Sequence, residues 1–166
     1  MMQTATVLFL SFIIIQRLSE LVIARRNTAR LLEQGAYEIG AGHYPVMVGM
    51  HSAWIACLVI FGYDEAVSLG WLAVFAVLQV FRVWILASLG KRWTTRIIVS
   101  QEPLVVRGPY KYFSHPNYIL VIAEIIVGPM VLGLVWVALV FTVLNAAMLW
   151  VRIGVEHKAL GPLRTV

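Results

Sequence analysis

Five apolar stretches constrain this chain more than any other feature of its sequence. A helix needs about 20 mostly apolar residues to cross a bilayer, and the stretches predict membrane spans at about 4–23, 45–62, 67–89, 117–131 and 134–153. Hydrophobic residues make up 61% of the 166 residues and charged residues only 13%, against about 25% charged in ordinary soluble domains. The sequence therefore predicts a single all-α integral membrane domain, residues 1–166, with about five transmembrane helices.

The last two spans are predicted to form a tight helical hairpin. Residues 117–151 carry one charged residue, Glu124, and are too long for a single span. Gly128-Pro129 and Gly133 interrupt the stretch, because glycine and proline break helices. Beyond this hairpin we expect a short cytoplasmic C-terminal helix. A second short surface helix is expected at 24–34, ahead of the glycine-rich segment that follows it.

The distribution of basic residues predicts the orientation. Lysine and arginine accumulate on the cytoplasmic side of membrane proteins. Loop one, about 24–43, loop three, about 90–116, and the segment from Arg152 onward hold every lysine and arginine except Arg17 and Arg82. This pattern predicts that the N-terminus lies outside and the C-terminus in the cytoplasm. It also accounts for the net charge of +5 through contact with lipid headgroups, so nucleic acid is not an expected partner.

Polar residues inside the spans form a predicted layer in the cytoplasmic leaflet. They are Arg17, Glu20, His51, Arg82 and Glu124, several of them about seven residues, or roughly 10 Å, from a cytoplasmic helix end. Charges within spans are costly and usually face a protein interior or a cavity. One interpretation is structural pairing, of Arg17 with Glu20 or Glu124 and of Arg82 with Glu124 or His51. The other is a polar substrate pocket open to the cytoplasm.

The segment RGPYKYFSHPNY, residues 107–118, indicates a ligand site at the start of the fourth span. Gly108-Pro109 predicts a turn, and Pro116 fits the first turn of a helix. Tyrosines and His115 there combine aromatic faces, hydroxyl groups and a titratable ring. At the end of the fifth span, Arg152 and Glu156 are spaced i,i+4 on one helical face. They form either a surface salt bridge or a pair that holds a ligand.

The four histidines give no reason to expect a metal. His43, His51, His115 and His157 lack the close spacing of metal ligands. No arrangement of nucleophile and base indicates a covalent intermediate either.

At these residues the sequence resembles a known family. GPYKYFSHPNY, a hydrophobic hairpin and then RIGVEHKAL resemble the isoprenylcysteine carboxyl methyltransferase family over about 90–160. QRLSELVIARRN and GAYEIGAGHYPVMVGMH resemble small bacterial members, which are linked to O-methylation of lipidic polyketides such as alkylpyrones and alkylresorcinols. Ser114 stands where the family usually has arginine, and His157 replaces its second glutamate.

The resemblance implies S-adenosylmethionine as methyl donor and a lipophilic acceptor that is methylated on a hydroxyl or carboxyl group at the cytoplasmic leaflet. It implies that Arg152 and Glu156 lie near the reacting groups. Glu156 is the first candidate for a general base, with His51, His115 and His157 behind it. The cofactor-binding residues that the resemblance implies are Pro103, Leu104, Val105, Val106, Gly108, Tyr110, His115, Pro116 and Tyr118.

Other functions remain open at this point. A methyltransferase that acts on phospholipid or other amines would share the cofactor half and differ in its acceptor. A membrane reductase would use NADPH instead. A non-catalytic scaffold or a small transporter is the alternative outside enzymes, although a transporter would place its polar site near the midplane. The sequence does not predict the oligomeric state.

Overall fold

The computed structural model describes residues 2–100, 102–103 and 105–160. Each predicted apolar stretch lies in a helix. The helices are α1 (Met2–Glu33), α2 (Tyr44–Gly62), α3 (Leu69–Leu89), α4 (Pro116–Val131) and α5 (Val135–Leu160), and two short strands, β1 (Tyr37–Ile39) and β2 (Ile97–Val99), lie between them.

Two helices run further than the sequence predicted. The surface helix expected at 24–34 is the continuation of α1, which ends only before Gly35. Likewise α5 continues past residue 153 to Leu160, so in the described part of the chain no separate C-terminal helix follows it. In both cases no proline or helix-breaking turn stands where the apolar stretch ends and charged residues begin. The backbone hydrogen bonding of the helix therefore continues.

Four of the described helices are long and apolar enough to cross a membrane, which identifies an integral membrane protein. The fifth, α4, has 16 residues, or roughly 24 Å, whereas the hydrocarbon core is about 30 Å thick. Gly133, with a φ of 70°, makes the turn from α4 into α5, so the predicted helical hairpin is present and α4 is its short arm. The interruption predicted at Gly128-Pro129 is wrong, because both residues lie inside α4.

The end of the bundle that contains this turn is apolar. The Ser68 amide, at the start of α3, donates to the Val131 carbonyl, with an N···O distance of 2.8 Å, so both helical turns lie at this end. Gly128 allows α4 to approach Trp54 of α2, because a Cβ atom there would lie 2.8 Å from the indole ring. We call this the hairpin end, and its packing is apolar side chains throughout the core, including Phe9, Leu58, Phe75 and Leu132.

At the opposite end, which we call the loop end, a two-stranded ribbon joins loop one to loop three. Strand β1 pairs antiparallel with β2, with Glu38 opposite Ile98. Arg96 donates to both carboxylate oxygens of Glu38, at 2.9 and 2.8 Å. Its guanidinium also lies 4.3 Å from the centre of the Tyr44 ring. The all-α prediction missed this ribbon, because three-residue strands fall below the length at which alternation can be recognised.

Between the two ends, charged side chains from three helices form one buried network. Arg82 donates to Glu124 and, at 2.5 Å, to Glu20. Arg17 donates to Glu124 at 2.8 Å and to Glu20 at 3.2 Å, and the Gln79 amide donates to Glu124 at 3.1 Å. Glu124 is 1% exposed and Arg82 3%. The structural pairing foreseen for these residues is therefore present, and the two arginines balance the two glutamates.

We predict that Glu124→Leu destabilises the protein by about 3–5 kcal/mol, because it leaves the buried Arg82 and the half-buried Arg17 with a single carboxylate. Thermal unfolding in detergent measures this loss, and Glu65→Gln, which alters an exposed carboxylate in the α2–α3 loop, is the control. The double variant Arg82→Met/Glu124→Leu restores the balance of charge and should lose less than Glu124→Leu alone. Equal unfolding temperatures for Glu124→Leu and Glu65→Gln would contradict the structural role.

Candidate functional site

Two cavities of different character meet at the loop end. The first, which we call the polar cavity, has a volume of about 380 Å³. It lies among loop three, the start of α4 and the end of α5, and its polar lining includes Arg92, Arg96, Tyr110, His115 and Glu156. The second, the apolar cavity, has a volume of about 140 Å³ and lies between α1, α2, α4 and α5. Its walls include Val48, Ile55, Val121 and Leu149.

Four residues line both cavities. They are Trp93, Asn117, Tyr118 and Arg152. A molecule in the polar cavity and a molecule in the apolar cavity would therefore meet at the same side chains. This shared wall is therefore the place where the polar cavity and the apolar cavity meet.

Arg152 is held in this shared wall from three directions. Its Nε donates to the Tyr118 hydroxyl at 2.9 Å, and one Nη donates to the Thr95 carbonyl at 2.8 Å. The other Nη contacts the Met47 sulfur at 2.9 Å. A guanidinium has five N–H groups, so two remain for a ligand. The side chain is thus fixed by α2, α4 and loop three together.

Tyr118 connects Arg152 to Glu156. Its hydroxyl accepts from Arg152 and donates to the Glu156 carboxylate at 2.7 Å. The Tyr118 ring stacks on the His115 ring, with centroids 5.1 Å apart and planes 7° apart, and His115 Nδ1 lies 3.6 Å from Glu156. The direct i,i+4 ion pair considered from sequence does not form between these two described side chains, because the tyrosine hydroxyl stands between them.

The local sequence explains how loop three presents these groups. Pro116 begins α4, so His115 and the aromatic segment before it leave the helix at a fixed point. Gly108 adopts a φ of 58°, and a Cβ atom there would lie 2.0 Å from the Ser88 hydroxyl. Only glycine allows this close contact with α3. The predicted turn at Gly108-Pro109 is therefore present, as a short helical turn over Gly108–Lys111.

The polar cavity contains groups of both charges. Hydrogen bonding to Glu38 raises the pKa of Arg96, which keeps that guanidinium charged. Burial raises the pKa of Tyr110, with the nearby Glu156 carboxylate adding to the effect. Tyr110 is therefore a neutral phenol at neutral pH and can act as a hydrogen-bond donor.

Across the described residues, no group of histidine, cysteine, aspartate and glutamate side chains is placed to hold a metal ion.

The residues that the resemblance assigned to the cofactor separate into three groups. Val105, Val106, Tyr110, His115 and Tyr118 line the polar cavity. Gly108 and Pro116 shape the backbone next to it, while Pro103 lines a neighbouring surface cavity and accepts a hydrogen bond from Arg92 at 2.8 Å. Leu104 lies outside the described residues.

The residues proposed for a substrate pocket lie at the apolar cavity. Arg17, Glu20, His51 and Arg82 line it, and Glu124 lies behind this wall in the charged network. His51 stays apart from that network, because its Nδ1 is 2.9 Å from the Met47 carbonyl of its own helix. The convergence predicted from depth therefore holds, and the cavity itself is mainly apolar.

Several lining residues were missed from sequence. Asn117 was passed over although it lies inside the HPNY segment, and Asn145 although it is an amide within an apolar span. A search for any polar residue in a span, rather than for charged and titratable ones, finds Asn145. Trp93 and Thr95 gave no signal, because their position depends on how loop three folds back under α2 and α5.

Comparisons with known proteins identify the family of this chain. The isoprenylcysteine carboxyl methyltransferase (ICMT) family matches residues 71–162, which hold the shared wall and both partners of Tyr118. The chain is 38% identical to "Uncharacterized protein YpbQ" of Bacillus subtilis (strain 168) over 159 residues, 92% of this chain and 95% of that protein. No solved structure matches the chain. Since the family match covers more than half of its length, the chain belongs to the isoprenylcysteine carboxyl methyltransferase family, a family of membrane methyltransferases.

Proposed function

We propose that the protein transfers a methyl group from S-adenosylmethionine to a hydroxyl or carboxyl group of a lipophilic acceptor. One observation carries the proposal: a polar cavity and an apolar cavity share a wall that contains Arg152, Asn117 and Tyr118. A water-soluble donor and a lipid acceptor need two such environments with one point of contact.

The residues of the polar cavity fit the donor. Its volume of about 380 Å³ lies within the range of roughly 300–1,000 Å³ for ligand sites. Glu156 offers a carboxylate to cationic groups, Arg92 and Arg96 offer partners to a carboxylate, and Tyr110 and Phe113 offer faces to an adenine ring. When bound, S-adenosylmethionine supplies a methyl group on a sulfonium for in-line displacement, and the protein's part is mainly orientation.

Arg152 is the residue we assign to the acceptor oxygen. Its two remaining N–H groups lie at the shared wall, where an acceptor in the apolar cavity would present its reacting group. Hydrogen bonds from a charged donor are about twice as strong as neutral ones, and the bonds to Tyr118 and Thr95 keep the guanidinium in place. A carboxylate acceptor would need only this neutralisation, since it already carries the attacking lone pair.

A hydroxyl acceptor must also lose a proton, and Tyr118 provides a path for it. The acceptor O–H would donate to the Tyr118 oxygen, while the tyrosine proton moves to Glu156 across their 2.7 Å hydrogen bond. Glu156 is then the final base although it lines only the polar cavity. General acid–base catalysis of this kind contributes about 10²–10⁴ in rate.

The positive charge of Arg152 weighs against an amine as the methyl acceptor. Arg152 in the shared wall would repel an ammonium or a protonated amine, which disfavours phospholipid N-methylation.

We place the site in the cytoplasmic leaflet of a bacterial plasma membrane. This location rests on the basic loops, including the exposed Arg25 and Arg26, and on the bacterial source of the relative.

The proposed methyl donor leads to a prediction about cofactor binding. S-adenosylmethionine and S-adenosylhomocysteine should stabilise the protein in detergent, by about 2.7 kcal/mol at 100 times Kd, and NADPH should not. His115→Ala should lose this stabilisation, because it removes a lining ring and the support of Tyr118. His157→Ala, which alters an exposed histidine with its ring centroid 6.4 Å from that of His115, is the control. Stabilisation by NADPH alone would indicate a reductase.

A further prediction, for Tyr118→Phe, separates turnover from cofactor affinity. Tyr118→Phe keeps the ring that stacks on His115 but removes the hydroxyl between Arg152 and Glu156. With a hydroxyl acceptor we expect kcat to fall about 10²-fold or more, while the Kd for S-adenosylhomocysteine stays within a factor of about three.

The assay for Tyr118→Phe is methyl transfer to a membrane lipid extract, with mass spectrometry of the labelled product. Tyr112→Phe is the matched control, since Tyr112 belongs to the same loop but is 69% exposed. Unchanged kcat in Tyr118→Phe would exclude the proton path. Absence of any methylated lipid with the unaltered protein would count against the proposed function as a whole.

A further inference from the structure

Thr95 of loop three contacts Arg152 and the start of α2 at the same time. Its carbonyl accepts from one Nη of Arg152 at 2.8 Å. Its hydroxyl lies 3.0 Å from the Tyr44 hydroxyl, in a hydrogen bond to which either oxygen can donate. Tyr44 is the first residue of α2. The carbonyl that holds Arg152 is therefore tied to α2 through the side chain of the same threonine.

Loop one holds the Tyr44 ring in turn. The Arg96 guanidinium lies 4.3 Å from the centre of this ring, and a cation over an aromatic face is attracted to it. Arg96 also donates to both carboxylate oxygens of Glu38 in β1, at 2.9 and 2.8 Å. The contacts thus form an unbroken series that consists of Glu38, Arg96, Tyr44, Thr95 and Arg152.

Every hydrogen bond of Arg152 among the described residues goes to a segment other than its own helix. The partners are Tyr118 of α4, Thr95 of loop three and the Met47 sulfur of α2. Met47 is about one turn beyond Tyr44, so α2 supports the guanidinium both directly and through Thr95. Thr95 itself belongs to neither a helix nor a strand. No regular backbone pairing therefore fixes the direction of its carbonyl, and its side-chain contact with α2 gains importance.

The residues that supply this support precede the part of the chain that matches the family. Glu38 and Tyr44 come before residue 71, where the family match begins, whereas Thr95 and Arg152 lie within it. Tyr44, Thr95 and Arg152 all line the apolar cavity, and Arg152 also lines the polar cavity. The first part of the chain therefore contributes to the place where the two cavities meet.

We propose that Tyr44 is a positioning residue for Arg152. Its hydroxyl orients Thr95, and the Thr95 carbonyl then holds the guanidinium in the shared wall. No chemical step is assigned to Tyr44. Without its hydroxyl, Arg152 can rotate away from the acceptor oxygen, and a displacement of about 1 Å in a reacting site can lower the rate by about 10²-fold. The effect on the rate rests on the proposed function, whereas the effect on the mobility of Arg152 does not.

The test follows the Arg152 guanidinium in Tyr44→Phe, which removes the hydroxyl and keeps the ring beside Arg96. The whole protein is prepared in detergent with isotopically labelled arginine, and the Nε–H signal of Arg152 is identified by NMR as the one that Arg152→Lys lacks. We expect this hydrogen to exchange with water about five-fold faster in Tyr44→Phe, because one hydrogen bond no longer restrains the opening of the contact.

Two further variants sharpen the comparison. Thr95→Val removes the other end of the same hydrogen bond and should give the same increase, and the double variant should give no more than either single one. Tyr37→Phe is the matched control, since Tyr37 lies in β1 of the same ribbon but is 56% exposed. It should leave the exchange at Arg152 unchanged. Equal exchange in the unaltered protein and in Tyr44→Phe, or a larger effect in the double variant, would overturn the proposal.

Methyl transfer gives a second and separate readout. With a labelled methyl donor and a membrane lipid extract, Tyr44→Phe should lower the rate at saturating S-adenosylmethionine by about ten-fold. The Kd for S-adenosylhomocysteine should stay unchanged, since the described lining of the polar cavity does not include Tyr44. Faster exchange at Arg152 with an unchanged rate would contradict the positioning role. Absence of methyl transfer by the unaltered protein would contradict the proposed function alone, and the exchange rates would still decide whether Tyr44 holds Arg152.

Discussion

A bilayer offers no partner to a charged side chain, so the buried network of Arg17, Glu20, Arg82 and Glu124 is the interaction on which the rest of this structure depends. It joins α1, α3 and α4 by bonds to charged atoms that lipid cannot replace. Packing between apolar helices in lipid is weakly directional, because lipid tails are as apolar as leucine. The network therefore specifies how these helices face one another and holds the α1 and α4 sides of the apolar cavity in a fixed position.

That rigidity matters because the other wall of the site is built from loops. The ribbon of β1 and β2 and the cation–π contact of Arg96 with Tyr44 hold loop one against loop three. Arg152 adds a further tie through the Thr95 carbonyl. The polar cavity is thus formed by segments that hydrogen bonds order, whereas charge pairs order α1 and α4, two of the helices around the apolar cavity. Tyr118 connects the two, because it belongs to α4 and accepts a hydrogen bond from Arg152.

The sequence allowed prediction of the parts that depend on composition and periodicity. Helix positions followed from apolar length, and the meeting of Arg82 with Glu124 from their depth. The hairpin followed from Gly128-Pro129 and Gly133, although only Gly133 makes the turn. The ribbon was missed because three-residue strands have no readable period. The place of Tyr118 between Arg152 and Glu156 was missed because i,i+4 spacing describes one helix, and the intervening hydroxyl comes from another. Asn145 was missed because only charged and titratable residues within the spans were considered as candidates.

The extent of α5 links these observations. Asn145, Arg152 and Glu156 are separated by seven and then four residues, so all three lie on one face of a single unbroken helix. Along this face the chain passes from the apolar cavity, through the shared wall, into the polar cavity, over roughly 16 Å. A helix that ended at residue 153, the predicted end of the fifth span, would have left Glu156 free to turn away. Because the helix continues, its period sets the separation of these three side chains along one face. Their placement at the two cavities therefore depends on α5, while loop three supplies the opposite side of the polar cavity.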